Sequence, residues 1–204
     1  MKTRERILQC ALELFNGQGE PNVTTLDIAN ELDISPGNLY YHFRGKEALL
    51  EELLADFIDK TYGLLHLDAP AEALDPEDYW LFLHLLFEAI IAHRFLFQDL
   101  SNLMGRYSFI ARSMHQWVEA LRKILRTLLV ALREQENLQC NDRALERLLD
   151  ALCQTVLFWL DYQRVSRRGD DEATQAVQQV LGLLLPYLDN DTRLWMSTLI
   201  ERYD

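Results

Sequence analysis

The chain has 204 residues, 49% of them hydrophobic, and a formal net charge of −12 at pH 7. That is enough apolar material to bury a substantial core, in one domain or in a small and a larger domain that share an interface. Only eight glycines and five prolines interrupt the chain, so few helix breakers are available and long helices are favoured.

Neither a secretion signal nor a membrane span is predicted. Met1 leads directly into charged residues, and the most apolar run, residues 79–97, is interrupted by histidine, glutamate and arginine. The three cysteines show no metal-ligand spacing, and their odd number suits a reducing cytosol. We therefore expect a cytoplasmic protein that needs no membrane, metal or cofactor.

The first predicted helix covers residues 3–16 and is followed by Gly17 and Gly19. Its apolar residues form a broad stripe: Ile7, Leu8, Ala11, Leu12, Leu14 and Phe15. A basic start with Lys2, Arg4 and Arg6 fits either contact with phosphate or a simple solvated end.

A helix, a tight turn and a second short helix are predicted between Thr24 and Phe43. Thr24 or Thr25 supplies a hydroxyl cap for the first of these helices. Asp33 is the expected turn residue, since Asp tolerates the left-handed region. Ser35 then caps the next helix, and Pro36 stands at its first position, where the missing N–H costs nothing.

The short helix from Pro36 to about Phe43 separates its residues into two faces. Leu39 and Phe43, four residues apart, can point inward. The outer surface then receives small, amide and aromatic residues, which suit close approach, base edges and thymine methyl groups in a major groove. These outward residues are Gly37, Asn38, Tyr40, Tyr41 and His42.

The motifs TLDIA (residues 25–29), SPGNLYYHF (35–43) and KE-L (46–49) resemble the DNA-binding signature of TetR-type transcriptional regulators. Asp33 departs from the usual glycine and Gly45 from a common serine or asparagine. The opening residues and the LYYHF segment are most similar to the subgroup with regulators of polyhydroxyalkanoate storage genes.

The resemblance implies an all-α protein with two domains. Residues 1–46 would be a three-helix helix-turn-helix domain, and residues 47–204 a larger helical domain for ligand binding and dimerisation. It also implies a homodimer that binds a near-palindromic double-stranded operator. In that interface Ser35 and Pro36 start the helix that enters the major groove. Bases or sugars would be contacted by Gly37, Asn38, Tyr40 and Tyr41. Phosphates would be held by Thr25, Tyr40, His42 and Lys46.

The negative charge lies mostly outside the proposed DNA-binding domain. Residues 1–46 contain five Lys or Arg against six Asp or Glu, a net −1, which leaves −11 for the rest of the chain. Phosphate neutralisation supplies most non-specific affinity, so we expect weak binding to random DNA.

From Lys46 a long helix is expected to about residue 68, followed by a loop at residues 69–76 and a helix at 77–93. A broken stretch then runs to residue 105, before a long helix at 107–136. The resemblance implies an inducer pocket in this region for an apolar or amphipathic effector, acyl or aromatic, although large apolar residues are usually core. The candidate lining residues are Trp80, Phe87, Phe95, Met104, Tyr107, Met114, Trp117 and Trp159.

Three further helices are predicted at residues 142–168, 172–185 and 192–203. The first two have wide apolar surfaces, and with the resemblance they are assigned to a four-helix interface between two copies. The candidate interface residues are Leu145, Leu149, Leu152, Val156, Val177, Val180 and Leu184.

No catalytic constellation is present in the sequence, which has neither an HExxH, a GxSxG nor a glycine-rich phosphate loop. His84, Glu88 and His93 are not expected to hold a metal, because the two histidines are nine residues apart and fall on different faces of a straight helix. The competing interpretation is a helical small-molecule- or partner-binding protein with a vestigial helix-turn-helix, which the acidic charge favours. A helical enzyme is a more distant third.

Overall fold

The computed structural model describes residues 2–66, 76–166 and 173–202, and within these ranges the chain forms eleven α-helices. The predicted all-α class is confirmed. The helices are α1 (Thr3–Gln18), α2 (Thr25–Glu31), α3 (Pro36–His42), α4 (Lys46–Leu65), α5 (Pro76–Ala92), α6 (Arg94–Gln98), α7 (Leu100–Arg106), α8 (Ser108–Glu134), α9 (Asp142–Ser166), α10 (Ala173–Leu184) and α11 (Asn190–Arg202).

Helices α1 to α3 pack together with the start of α4. Helix α1 passes through Gly17 and ends at Gln18; the next residue, Gly19, has a φ of +82°, which suits a residue without a Cβ. A short 3₁₀ turn, Glu20–Asn22, leads to α2, where Thr24 and Asp27 cap each other reciprocally. Ile28 and Ala29 are fully buried, as their spacing predicts.

Helix α4 connects this N-terminal unit to the rest of the molecule. Its apolar stripe is buried (Leu49, Leu50, Leu53, Leu54 and Phe57), and the helix packs against α1, α5 and α8. The predicted end of the helix and the following loop fall on residues 67–75, which lie outside the described residues.

The C-terminal part is a bundle in which α10 packs on α5 and α9, and α8 packs on α4 and α9. The predicted broken stretch is present as the short helices α6 and α7, with interruptions at His93, Asp99 and Tyr107. The predicted turn at residues 169–170 lies outside the described residues. No helix in the described ranges has the length and low polarity needed to cross a membrane.

The seven residues that the sequence assigned to a dimer interface face the protomer's own core instead. Each is at most 4% exposed in the single chain: Leu145, Leu149, Leu152, Val156, Val177, Val180 and Leu184. A residue already covered within its own protomer offers little surface to a partner, so a role of these side chains in a dimer interface stays a prediction that their burial does not favour. The most regular leucine stripe of a helix is the one that its own domain buries.

Candidate nucleic-acid interface and helical pockets

The turn before α3 is built as its residue types predict. Asp33 has a φ of +52°, and Ile34 N–H donates to the Ala29 carbonyl at 3.0 Å, which closes the turn. Ser35 Oγ accepts a hydrogen bond from Asn38 N–H at 3.2 Å, and Pro36 occupies the first helical position. These local contacts set the direction in which the seven-residue helix α3 leaves the turn.

The two faces of α3 differ sharply in exposure. Leu39 is fully buried and Phe43 is 3% exposed in the hydrophobic core, and α3 packs against α2. Tyr40 is 52% exposed and Tyr41 85% exposed. Pro36, Gly37 and Asn38 are exposed as well, and His42 is half-buried with its ring 5.1 Å from that of Tyr41. The predicted orientation of these side chains is confirmed, whereas their contacts with DNA stay a prediction.

Thr25 and Tyr40 meet across the helix-turn-helix. Their hydroxyl oxygens lie 3.2 Å apart, one at the start of α2 and the other on α3. Hydroxyl groups are common phosphate ligands at protein–DNA interfaces. The pair therefore places two such groups side by side on the same surface as Tyr41.

Lys46 has a protein partner that the sequence did not indicate. Its ammonium lies 2.8 Å from Oε1 of Glu20, and its side chain is only 22% exposed. A phosphate contact by Lys46 stays a prediction, and in it the ammonium would have to share its donors with Glu20. Arg4 is similarly engaged, with Glu52 at 2.5 Å and the ring of Phe43 at 4.8 Å.

The eight residues predicted to line an effector pocket have different surroundings in the described part of the chain. Phe95 packs against Phe15 of α1 with ring centroids 5.5 Å apart, and Tyr107 donates to Glu20 at 2.8 Å. Trp80 stacks on a histidine, and the others lie in or against the continuous core: Phe87, Met104 and Met114. Trp117 and Trp159 each line a cavity in the described part of the chain, and these are two different cavities.

The cavity at Trp117 lies between α4 and α8 and has a volume of about 270 Å³. Trp117 Nε1–H donates to Thr61 Oγ1 at 2.9 Å, and that hydroxyl donates in turn to the Phe57 carbonyl at 3.0 Å. The lining combines apolar and uncharged polar side chains: Ile58, Thr61, Tyr62, Leu65, His66, Ser113, Gln116, Trp117 and Ala120. Of these residues, Trp117 alone was predicted to line a pocket, although a threonine within the leucine stripe of α4 was a usable signal.

The second cavity is an open depression of about 540 Å³ on the outer side of α9 and α10. Phe158 and Tyr162 are 45% and 52% exposed beside it. Two buried polar atoms here, Trp159 Nε1 and Gln163 Oε1, have no hydrogen-bond partner in the described part of the chain. An apolar surface with unsatisfied polar atoms is suited to contact with another molecule.

Known proteins match both halves of the chain. A profile described as a bacterial transcriptional repressor, TetR, matches residues 64–194, and one for bacterial regulatory proteins of the tetR family matches residues 7–53. The transcriptional repressor KstR2 of Mycolicibacterium smegmatis is 42% identical over 60 residues. That match spans only 29% of this chain and 29% of the relative.

Two solved structures are similar over almost the whole chain. A TetR-family transcriptional regulator from Marinobacter aquaeolei is 29% identical and has a TM-score of 0.86, with 100% of this chain and 99% of that one covered. A γ-butyrolactone receptor, described as ArpA-like, has a TM-score of 0.68 at 19% identity, covering 98% and 96% of the two chains. The second likeness concerns the fold alone.

Proposed function

Because this chain belongs to the TetR family of bacterial transcriptional regulators, we propose that it binds a near-palindromic operator as a homodimer in the cytoplasm and that a small effector changes its operator affinity. The surface of α3 carries this proposal. Asn38 and Tyr41 are exposed on a helix that Leu39 and Phe43 attach firmly to the core. Such a helix can enter a major groove without unfolding or rearranging its own domain.

Residues 1–46 act as the DNA-binding domain in this proposal, and residues 47–204 as the ligand-binding and dimerisation domain. Helix α4 begins at this division and runs unbroken to Leu65. It therefore joins the DNA-binding domain, residues 1–46 (the reading head), to the C-terminal bundle as one rigid element. A rigid helix of this kind can pass a displacement in the bundle on to α3.

The dimer is proposed to form through the outer faces of α9 and α10. Phe158 and Tyr162 supply exposed apolar area there, and Trp159 Nε1 and Gln163 Oε1 supply polar atoms that lack partners in the described chain. A two-fold contact buries the same patch on both copies. In the dimer the two α3 helices would then have to lie about 34–36 Å apart to reach successive major grooves.

The effector site is proposed to be the cavity between α4 and α8. The described residues that line it include no Lys, Arg, Asp or Glu, so the occupant should be uncharged, with an apolar body and one or two polar groups. The structurally similar protein named as a γ-butyrolactone receptor is consistent with a small, uncharged effector.

Selection of genomic fragments by the purified protein tests the proposal. The expected result is a set of fragments that share one near-palindromic motif, to which the protein binds as two copies. A helical binding protein with a vestigial helix-turn-helix would recover no shared motif, and that outcome would overturn the proposal.

Random duplex should bind only weakly. Residues 1–46 carry a net charge of −1 and the rest of the chain −11, so few phosphates can be neutralised without help from specific contacts. In fluorescence anisotropy at physiological salt, we expect a scrambled duplex to bind with a dissociation constant above about 1 μM. Tighter binding would contradict this electrostatic expectation.

The Ala120→Phe substitution should close the proposed effector site. Ala120 lines the cavity on α8 and is half-buried, so a phenyl ring there fills space otherwise open to a ligand. A ligand that must share this space with the ring meets an overpacking cost of about 1–3 kcal/mol, which predicts about 5- to 150-fold weaker binding of small uncharged aromatic compounds in ligand-detected NMR. Operator affinity should be retained. The control is Ala55→Phe on the exposed side of α4; equal binding by both variants would contradict the placement of the site.

A further inference from the structure

A buried carboxylate lies where the N-terminal unit meets the bundle. Glu20, in the 3₁₀ turn between α1 and α2, is 0% exposed. A charged group in such a position is costly unless every oxygen has a strong partner. Its partners come from two other parts of the chain, and they satisfy both carboxylate oxygens.

Oε1 of Glu20 accepts contacts from two donor groups. Lys46, the first residue of α4, places its ammonium at 2.8 Å, and the hydroxyl of Tyr107, the residue that precedes α8, donates at 2.8 Å. Oε2 accepts a hydrogen bond at 2.7 Å from Nη1 of Arg106, the last residue of α7. The three partners lie 26, 86 and 87 positions from Glu20 along the sequence.

The electrostatics keep these groups in the forms that bind each other. Burial alone would raise the pKa of Glu20, but hydrogen bonds from Lys46 and Tyr107, with the charges of Lys46 and Arg106, hold that pKa below its ordinary value. Burial and the neighbouring Glu20 raise the pKa of Tyr107 to about 12. At neutral pH the carboxylate is therefore charged, and the phenol keeps the proton that it donates.

The same two helices that line the α4/α8 cavity start at this carboxylate. Thr61 lies about 22 Å along α4 from Lys46, and Trp117 about 15 Å along α8 from Tyr107, at 1.5 Å per residue. Since Thr61 and Trp117 are hydrogen-bonded to each other, α4 and α8 run side by side in the same direction from Glu20. A compound that separates them at the cavity must change their angle about this common starting point.

We propose that Glu20 is a positioning residue for operator binding, which fastens the turn before α2 to the starts of α4 and α8 and so sets the orientation of α3 on the bundle. The inference rests on the proposed function, because orientation matters only if two α3 helices must fit one operator. It also identifies where an occupied cavity would act on the reading head. Glu20 touches no DNA in this arrangement, and its effect is exerted through the placement of α3.

The test is the Glu20→Gln variant, which keeps the shape of the side chain but removes its charge. Binding is measured to the full operator, to an isolated half-site, and to operators with one base pair inserted or deleted between the half-sites. Two linked contacts gain affinity only when their spacing matches the target. We expect full-operator affinity to fall roughly tenfold or more, half-site affinity to stay within about twofold, and the preference for the native spacing to weaken.

A merely structural role would give a different pattern, since a reading head that unfolds loses half-site affinity as well. Tyr107→Phe, which removes a single hydroxyl, is the milder companion variant. If Glu20→Gln does not fold, the same three binding measurements on Tyr107→Phe test the inference. The control is Glu146→Gln, which makes the same substitution at a more exposed carboxylate that pairs with Arg122 and Arg126 between α8 and α9, and it should leave all three measurements unchanged.

If folded Glu20→Gln keeps the full-operator affinity and the spacing preference of the wild type, the inference about Glu20 is overturned while the proposed function stands. Where Glu20→Gln does not fold, the same result in Tyr107→Phe has the same consequence. Parallel loss of full-site and half-site binding would overturn it in favour of a structural role. A wild-type chain that selects no shared sequence would overturn the proposed function, and this inference with it.

Discussion

Replacing Phe158 with glutamate is expected to produce a monomer that binds the full operator at least about a hundredfold more weakly, because two linked contacts lose their avidity when the link is broken. Phe158 is 45% exposed on the outer face of α9, so the single chain tolerates the change. In a two-fold dimer the substitution buries two unpaired carboxylates in one interface, each of which costs several kcal/mol. Sedimentation velocity measures the oligomeric state, and fluorescence anisotropy the operator affinity.

The control for this substitution is Leu194→Glu. Leu194 is an exposed apolar side chain on α11, 70% accessible and absent from the residues that line the α9/α10 depression. The variant should remain dimeric and bind the operator normally. If Phe158→Glu also remains dimeric at micromolar concentration, the dimer is formed by another surface and the proposed face is wrong.

The Tyr41→Ala substitution should lower specific operator affinity about five- to a hundredfold, since a base or sugar contact of this kind is worth roughly 1–3 kcal/mol. Tyr41 is 85% exposed, with its ring 5.1 Å from that of His42, so its loss should leave thermal stability and dimerisation nearly unchanged. Anisotropy at fixed salt, with the selected operator and with a scrambled duplex, measures the loss of specificity.

Tyr41→Phe separates the two contributions of this side chain. It keeps the ring and removes the hydroxyl, so affinity close to that of the wild type would assign the contact to the ring, and affinity close to that of Tyr41→Ala would assign it to the hydroxyl. If Tyr41→Ala itself binds the operator like the wild type, Tyr41 does not belong to the reading surface.

The helix-turn-helix was predictable in detail because its geometry depends on neighbours in sequence. Asp33 adopts the positive φ that the turn needs, and Ser35 caps the helix that Pro36 begins. Leu39 and Phe43 are buried while Tyr41 is exposed, as a 3.6-residue period dictates. None of these features requires knowledge of a distant residue.

The lining of a cavity is hard to predict from the sequence for the opposite reason. Bulky rings signal burial, but neither their number nor their spacing tells whether a space remains between two helices. Phe95 packs against Phe15, which is 80 positions away in the chain, and Tyr107 donates a hydrogen bond to Glu20, which is 87 positions away. The lining of the α4/α8 cavity includes small or polar residues, such as Thr61 and Ser113, that carry little hydrophobic signal.

The sequence by itself determined the all-helical class, the capped turn before α3 and the outward direction of Asn38 and Tyr41, because side-chain spacing and capping act within a few residues. Only the tertiary structure decided that the leucine stripes of α9 and α10 are internal, that Phe158 lies on the open face, and that Glu20 receives Lys46, Arg106 and Tyr107. Those outcomes depend on which helices approach one another, and close packing between distant segments leaves no regular trace in the order of the residues.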